Sequence, residues 1–293
     1  MERLLVVGSS GLLGNRLVTL GKGRFEVFGT YNKNVNNTEG NYRLDVCNRE
    51  SVLRLVEKIK PDCVIDTHGL NNLDYCETHP EESWSVNVDG SKNVAEACKK
   101  QGCKYMYIST DDVFDGRKLR YTEKDKPHPL NYYAKTKLVM EYTLAALDTN
   151  YIIARSSVLY GTGGIRKPSF VVWLISKLRN REKVRIVTDQ KNNPTFTDSL
   201  SEFLFRLYEK GETGIFHVAG KDCISRYDFS MEIARQFGLE GRLITPITSP
   251  ELNQIAHRPA SVNMVSEKAE RAAGLGSVGI KEGLSLLKKQ LGE

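Results

Sequence analysis

The 293-residue sequence has no run approaching eighteen consecutive apolar residues, so no segment has the length and character of a membrane-spanning helix. No secretory leader is expected either: "MERLLVVGSS" runs straight into a short apolar strand, and a cytoplasmic location is expected. The six cysteines, Cys47, Cys63, Cys76, Cys98, Cys103 and Cys223, include no C-x-x-C pair, and the five histidines stand at no zinc-finger spacing. Buried or incidental thiols are therefore expected rather than a metal site or a disulfide framework. Basic residues give a formal charge of +6 but form no run of five or six, which argues for a solvated surface and against nucleic-acid binding. Internal repeats and low-complexity linkers are also absent.

What is present is a soluble globular composition, with 40% apolar and 27% charged residues, enough to bury a core. Apolar runs of strand length ("RLLVVG", "FEVFGTY", "NYRLDV", "DCVIDTHG", "KYMYIST", "YIIARSS") alternate with stretches of helical periodicity such as "RESVLRLVEKIK" and "PEESWSVNVDGSKNVAEACKKQG". This alternation predicts an α/β fold, a doubly wound parallel sheet with helices on both faces and binding at the carboxyl ends of the strands. The rhythm weakens after Ser157. Residues 1–157 are read as a dinucleotide-binding domain to which about 184–222 partly returns, and 158–183 with 223–293 as a smaller substrate-binding lobe.

The first strand ends in "GSSGLLG", with Gly8, Gly11 and Gly14 three apart and a helical pattern directly behind. Glycines there allow a tight turn and close backbone approach, so that a diphosphate can rest on helix amides; Gly8, Ser10, Gly11, Leu12 and Leu13 are the candidate contacts. An ordinary strand-to-helix turn is the bland alternative. An NAD-preferring site offers a carboxylate after the second strand to hold the ribose hydroxyls, and here Asn32, Lys33 and Asn34 follow "FGTY", with Glu39 the next acid. NADP(H) is favoured over NAD(H), with Lys33 and Arg16 as candidate partners of its extra phosphate. Asp45 and Val46, closing the third strand, are placed to meet the adenine.

"NYYAKTK" poses the catalytic question. Residues four apart share a helix face, which pairs Tyr133 with Lys137, whereas Tyr132 pairs with Thr136. With 13 tyrosines, about one such match is expected by chance. Context raises it: the preceding strand ends in "YISTDDVFDG", where Thr110 offers a hydroxyl at the same edge as the glycine turn. A neighbouring ammonium and an oxidised nicotinamide would lower the phenol from its usual pKa of about 10, so Tyr133 is a candidate general acid, with Thr110 holding the reacting oxygen. The histidines, His68 among them, are expected to be structural or exposed.

With "GSSGLLG", "STDDVFDG" and "YAKTK" in order, the chain resembles the extended short-chain dehydrogenase/reductases, most closely the dTDP-4-dehydrorhamnose reductase group. "RSSVLYG", "NNPTFTDSL", "GIFHVAGKDCISRYDF" and "HRPASVNM" extend the likeness into the C-terminal part. The resemblance implies a Rossmann fold, NADPH as hydride donor, a nucleotide-linked 4-keto-6-deoxysugar as substrate, Thr110, Tyr133 and Lys137 as the catalytic set, and Gly69 and Leu70 lining the nicotinamide end. It leaves room for a homodimer. Asp111, Asp112, Val158 and Arg258 fall where the sugar or its phosphates would lie. Two departures remove aromatic surface: Asp112 stands where the group has a tyrosine, and Val158 where many members have a tryptophan. Arg16 replaces a glutamate that in some members helps hold a bridging metal, so no such metal is expected. The alternatives are an NADP-binding regulatory subunit, since the methionine adenosyltransferase beta subunit is similar to this family, and a related nucleotide-sugar epimerase or dehydratase, which the acid pair after Thr110 keeps open.

Overall fold

The structure, a computed structural model, describes residues 1–33, 40–164 and 168–293, so Asn34 and Glu39 lie outside the described residues. The strands are β1 (Arg3–Val7), β2 (Glu26–Tyr31), β3 (Asn41–Arg43), β4 (Cys63–Asp66), β5 (Lys104–Thr110), β6 (Tyr151–Ser156), β7 (Leu159–Tyr160), β8 (Val184–Val187), β9 (Lys191–Asn192), β10 (Thr195–Phe196), β11 (Gly214–His217), β12 (Ile224–Ser225) and β13 (Ile244–Ile247). The helices are α1 (Leu12–Gly21), α2 (Arg49–Ile59), α3 (Leu73–Thr78), α4 (Pro80–Trp84), α5 (Ser91–Gln101), α6 (Tyr132–Leu147), α7 (Phe170–Arg179), α8 (Thr197–Glu209), α9 (Arg226–Gln236), α10 (Glu267–Ala273) and α11 (Ile280–Gln290).

Among the described residues, seven strands form one parallel sheet in the order β11-β6-β5-β4-β1-β2-β3. Both faces are covered, which is why these strands read as nearly continuous apolar runs. Leu4 and Val6 of β1 join Leu13, Leu17, Phe203 and Ala269 from α1, α8 and α10, while Leu5 and Val7 join Val52, Val94 and Met140 from α2, α5 and α6. Local chemistry sets the helix ends: Asn48 accepts a hydrogen bond from the Ser51 amide at the start of α2, and Lys60 closes that helix at φ 50°. A separate core, with Tyr160, Leu174, Phe229 and Leu284, gathers α7, α9 and α11.

Four details depart from the expectation or refine it. The strand foreseen in "NYRLDV" ends at Arg43, which leaves Asp45 and Val46 in the loop before α2, where Asp45 Oδ1 accepts from the Cys47 amide at 3.0 Å. β8 pairs in parallel with β13 in a small sheet of its own, while β11 joins the large sheet beside β6. The helical stretch from Pro80 loosens into a π-helical turn over Ser85–Gly90 before α5. Finally, Cys98 and Cys103, expected as thiols, form a disulfide with Cα atoms 5.2 Å apart. Gly102 ends α5 at φ 78° and folds the chain back on the last helical turn, which brings together two cysteines whose five-residue spacing matches no familiar pair motif.

Candidate active site

The strand order reverses between β1 and β4, so a crevice opens there at the carboxyl edge of the sheet. Gly8 turns out of β1 at φ 87°, and a Cβ on it would lie 3.0 Å from the His68 amide nitrogen. The Gly11 amide donates to the Gly8 carbonyl at 3.0 Å, and a Cβ on Gly14 would lie 2.3 Å from that same oxygen. Gly11 caps α1 without a side chain, and no acid stands in the helix's first turn. The amides of a ten-residue helix are thus left to an anion, a cradle that fits the diphosphate of a dinucleotide. Ser10 and Leu12 lie half-buried beside Gly11, whereas Leu13 points into the core and offers only backbone. Asn32 and Lys33 follow β2 and are exposed. Arg16, considered as a second phosphate partner, is instead committed to Asp198 of α8 by two hydrogen bonds of 2.7 Å.

Opposite the glycine turn, the loop after β4 carries Gly69 and Leu70. It is pinned by Asn87 of the π-helical turn: Asn87 Oδ1 accepts from the Leu70 amide at 2.8 Å, and Nδ2 donates to the Leu70 carbonyl at 3.0 Å and to Thr136 Oγ1 at 3.2 Å. Gly69, at φ 151°, passes so close to Asn87 that a Cβ would lie 3.1 Å from its side-chain oxygen. π-Helical turns often occur at functional sites. His68, expected to be structural or exposed, faces Asp66 through Nδ1 and the Val86 carbonyl through Nε2 at 3.0 Å. With an acceptor at each ring nitrogen the imidazolium is favoured, and its pKa is raised although burial opposes it.

Thr110 closes β5 and Tyr133 lies in the first turn of α6, which Asn131 starts by accepting from the Ala134 amide at 2.9 Å. Asn131 also donates to the His257 carbonyl at 2.9 Å, tying the start of α6 to the "HRP" segment. Burial raises the Tyr133 phenol above its ordinary range, and the Asp112 and Asp111 carboxyls raise it further. The sequence expectation was the opposite, that Lys137 would lower it. The ammonium of Lys137 lies instead over the ring of Tyr107, 4.0 Å from its centroid. Burial brings Lys137 down to about 8, against the opposing charges of Asp66 and Glu141.

Beside Thr110 and Tyr133, Asp111 accepts from Ser157 Oγ at 2.6 Å and from Thr110 Oγ1 at 3.3 Å. Asp112, whose amide donates to Thr110 Oγ1 at 3.2 Å, is raised to about 7 by burial and by the Asp111 charge. Arg258 and Arg226 partly offset that rise. Arg258, foreseen as a phosphate contact, is held through Nη1 by Asp74 at 2.9 Å and by the Ala256 carbonyl at 2.7 Å. Val158 is half-buried between β6 and β7, its carbonyl bonded to the Thr195 amide.

Sequence reasoning passed over Asp66, His68, Asn87, Glu141 and Arg226. Glu141 was within reach, being one more helical turn beyond Lys137, and Asp66 ends an apolar strand at the binding edge. Asn87 and Arg226 carried no local signal, because their importance depends on which loop folds against them.

A family model for the RmlD substrate binding domain matches residues 1–291. The chain belongs to this family. It is 33% identical to a dTDP-4-dehydrorhamnose reductase of Aggregatibacter actinomycetemcomitans, with 94% of each chain covered. It is also 28% identical to the methionine adenosyltransferase 2 subunit beta of Bos taurus, over 97% of this chain and 87% of that one. Its fold matches a dTDP-4-dehydrorhamnose reductase of Bacillus anthracis in complex with NADP at a TM-score of 0.89, with 26% identity and 99% of each chain covered.

Proposed function

We propose that this RmlD-family chain is an NADPH-dependent oxidoreductase that reduces the 4-keto group of a nucleotide-linked 6-deoxysugar. One observation carries it: Thr110, Tyr133 and Lys137 converge at the carboxyl edge of the sheet, beside a glycine cradle shaped for a dinucleotide. Gly8, Gly11 and the α1 amides would hold the diphosphate, Lys33 the 2′-phosphate, and Gly69 and Leu70 the nicotinamide end. Bound NADPH supplies the hydride. Tyr133 gives its proton to the substrate oxygen, Thr110 Oγ1 turns its one proton from Asp111 to this oxygen and keeps it in line, and Lys137 holds the ribose hydroxyls. Because the protein's own groups raise the Tyr133 pKa, the phenol is protonated at neutral pH and ready to act as the acid. The Asp111–Asp112 pair faces the sugar and selects for hydrogen-bonding groups where an aromatic ring would select for apolar surface.

The second reading, an NADP-binding regulatory subunit, is favoured by Asp112 and Val158 and by the likeness to the methionine adenosyltransferase 2 subunit beta. NADPH consumption with a dTDP-4-keto-6-deoxyhexose separates the two. The native protein is expected to turn over, and Tyr133→Phe to lose about 10²–10⁴-fold in kcat while binding NADPH as before. Tight NADPH binding without oxidation by any nucleotide keto sugar would transfer the case to the regulatory reading. Cytoplasmic location and a homodimer belong to the same proposal, and light scattering on the purified chain reads the second.

A further inference from the structure

Lys137 is 5% exposed, yet among the described residues no acceptor lies within hydrogen-bonding distance of its ammonium. A buried ammonium in that position ordinarily sheds its proton or takes a carboxylate partner. Two carboxylates are near, but each is engaged elsewhere. Asp66 accepts from the Tyr105 hydroxyl at 2.5 Å and from His68, and Glu141 accepts from Ser109 at 2.5 Å and from Arg155 at 2.6 Å. What Lys137 does touch is the face of Tyr107, a fully buried ring of β5 whose hydroxyl makes no hydrogen bond. A tyrosine with an idle hydroxyl contributes through its ring, and a cation within about 6 Å of a ring centroid is attracted to the negative π face, most strongly when both are desolvated.

We propose that Tyr107 is a positioning residue, whose π face holds the Lys137 ammonium in the cofactor crevice while leaving N–H groups on its open side to engage ribose hydroxyls. The proposal rests on the assignment of Lys137 to the catalytic set. A carboxylate partner would hold the charge more firmly but would fix a donor in one direction, whereas a ring face attracts the ammonium without a directed acceptor. The titratable groups surrounding Lys137 are Asp66 and His68 at the end of β4, Tyr133 and Glu141 one turn to either side on α6, and Cys76 of α3 beyond Tyr133. Asp66 and Glu141 act in the same direction as the ring and His68 against it, so the test has to change the ring alone.

The test replaces Tyr107 in the full chain by phenylalanine and, separately, by 3,4,5-trifluorophenylalanine, which keeps the ring's shape and cancels its negative face. Lys137 is then titrated by heteronuclear NMR, a measurement that needs neither substrate nor turnover. Tyr107→Phe is expected to keep the native midpoint, and the fluorinated ring to lower it by about half a unit to one and a half units. In NADPH oxidation by keto sugar, the alkaline limb of the rate profile is expected to move by the same amount. Equal Lys137 midpoints with the two rings would overturn the proposal. A shifted NMR midpoint in a protein that oxidises no NADPH would leave the ring's role standing and remove the reductase assignment, so the two failures are distinct.

Discussion

At the scale of single residues, the site is governed by burial acting on charge. Tyr133 and Asp112 are pushed up and Lys137 is brought down, each moved away from its charged form. The sign of the pH dependence follows. As pH rises through about 7, Asp112 ionises, and its charge makes the Tyr133 phenol a weaker acid. Through about 8, Lys137 loses the proton that its proposed role requires. For keto-sugar reduction, kcat/KM is therefore expected to fall in two steps with increasing pH. Asp112→Asn should abolish the step near 7 and retain the one near 8, which a pH–rate profile of both proteins would check. The spacing that pairs Tyr133 with Lys137 could be read along the chain, because it depends on helix geometry alone. The direction of the Tyr133 shift could not, since the groups that set it come from β5 and from the depth of the crevice.

At the scale of elements, the glycine turn and the π-helical turn hold the crevice open from opposite sides. Gly14 packs against the Gly8 carbonyl so closely that one methyl group has no room, and the obstacle is backbone, which cannot rotate away. Gly14→Ala should displace α1 from the turn and weaken NADPH binding by about tenfold or more, as read by titration calorimetry, while the fold survives. The "GSSGLLG" motif was legible because its function is local: strand, turn and helix are contiguous. The matching clamp was not. Asn87 holds Leu70 across a gap of 17 residues, and the π-helical turn that presents it has no periodicity by which a sequence would announce it.

At the scale of the whole molecule, a buried network fastens α6, which carries Tyr133 and Lys137, to the sheet. Glu141 of α6 pairs with Arg155 of β6 at 2.6 Å and accepts from Ser109 of β5, while Arg155 also reaches His217 of β11 at 3.4 Å. Burial and the Arg155 charge press His217 down to about 3, so it stays neutral and the guanidinium depends on Glu141 for its counter-charge. Glu141→Gln should cost about 3–5 kcal/mol, visible as a lower urea midpoint, because it strands a buried cation rather than removing a pair. Arg16 and Asp198 tie α1 to α8 in a similar way at the edge of the crevice.

The alternation of apolar runs with amphipathic stretches determined the layered parallel sheet, since strand and helix periodicities are properties of neighbouring residues and both faces of each strand had to be apolar. It also determined which hydroxyls and which lysine could meet at the binding edge. Tertiary structure alone decided the charge state of those groups, the allegiance of Arg16 and Arg258, and the pairing of Cys98 with Cys103. Each of these depends on distances between residues that the chain order keeps apart, or on a backbone reversal that folding has to complete. Electrostatic energies and covalent reach are set by such distances, so no pattern along the chain could have fixed them in advance.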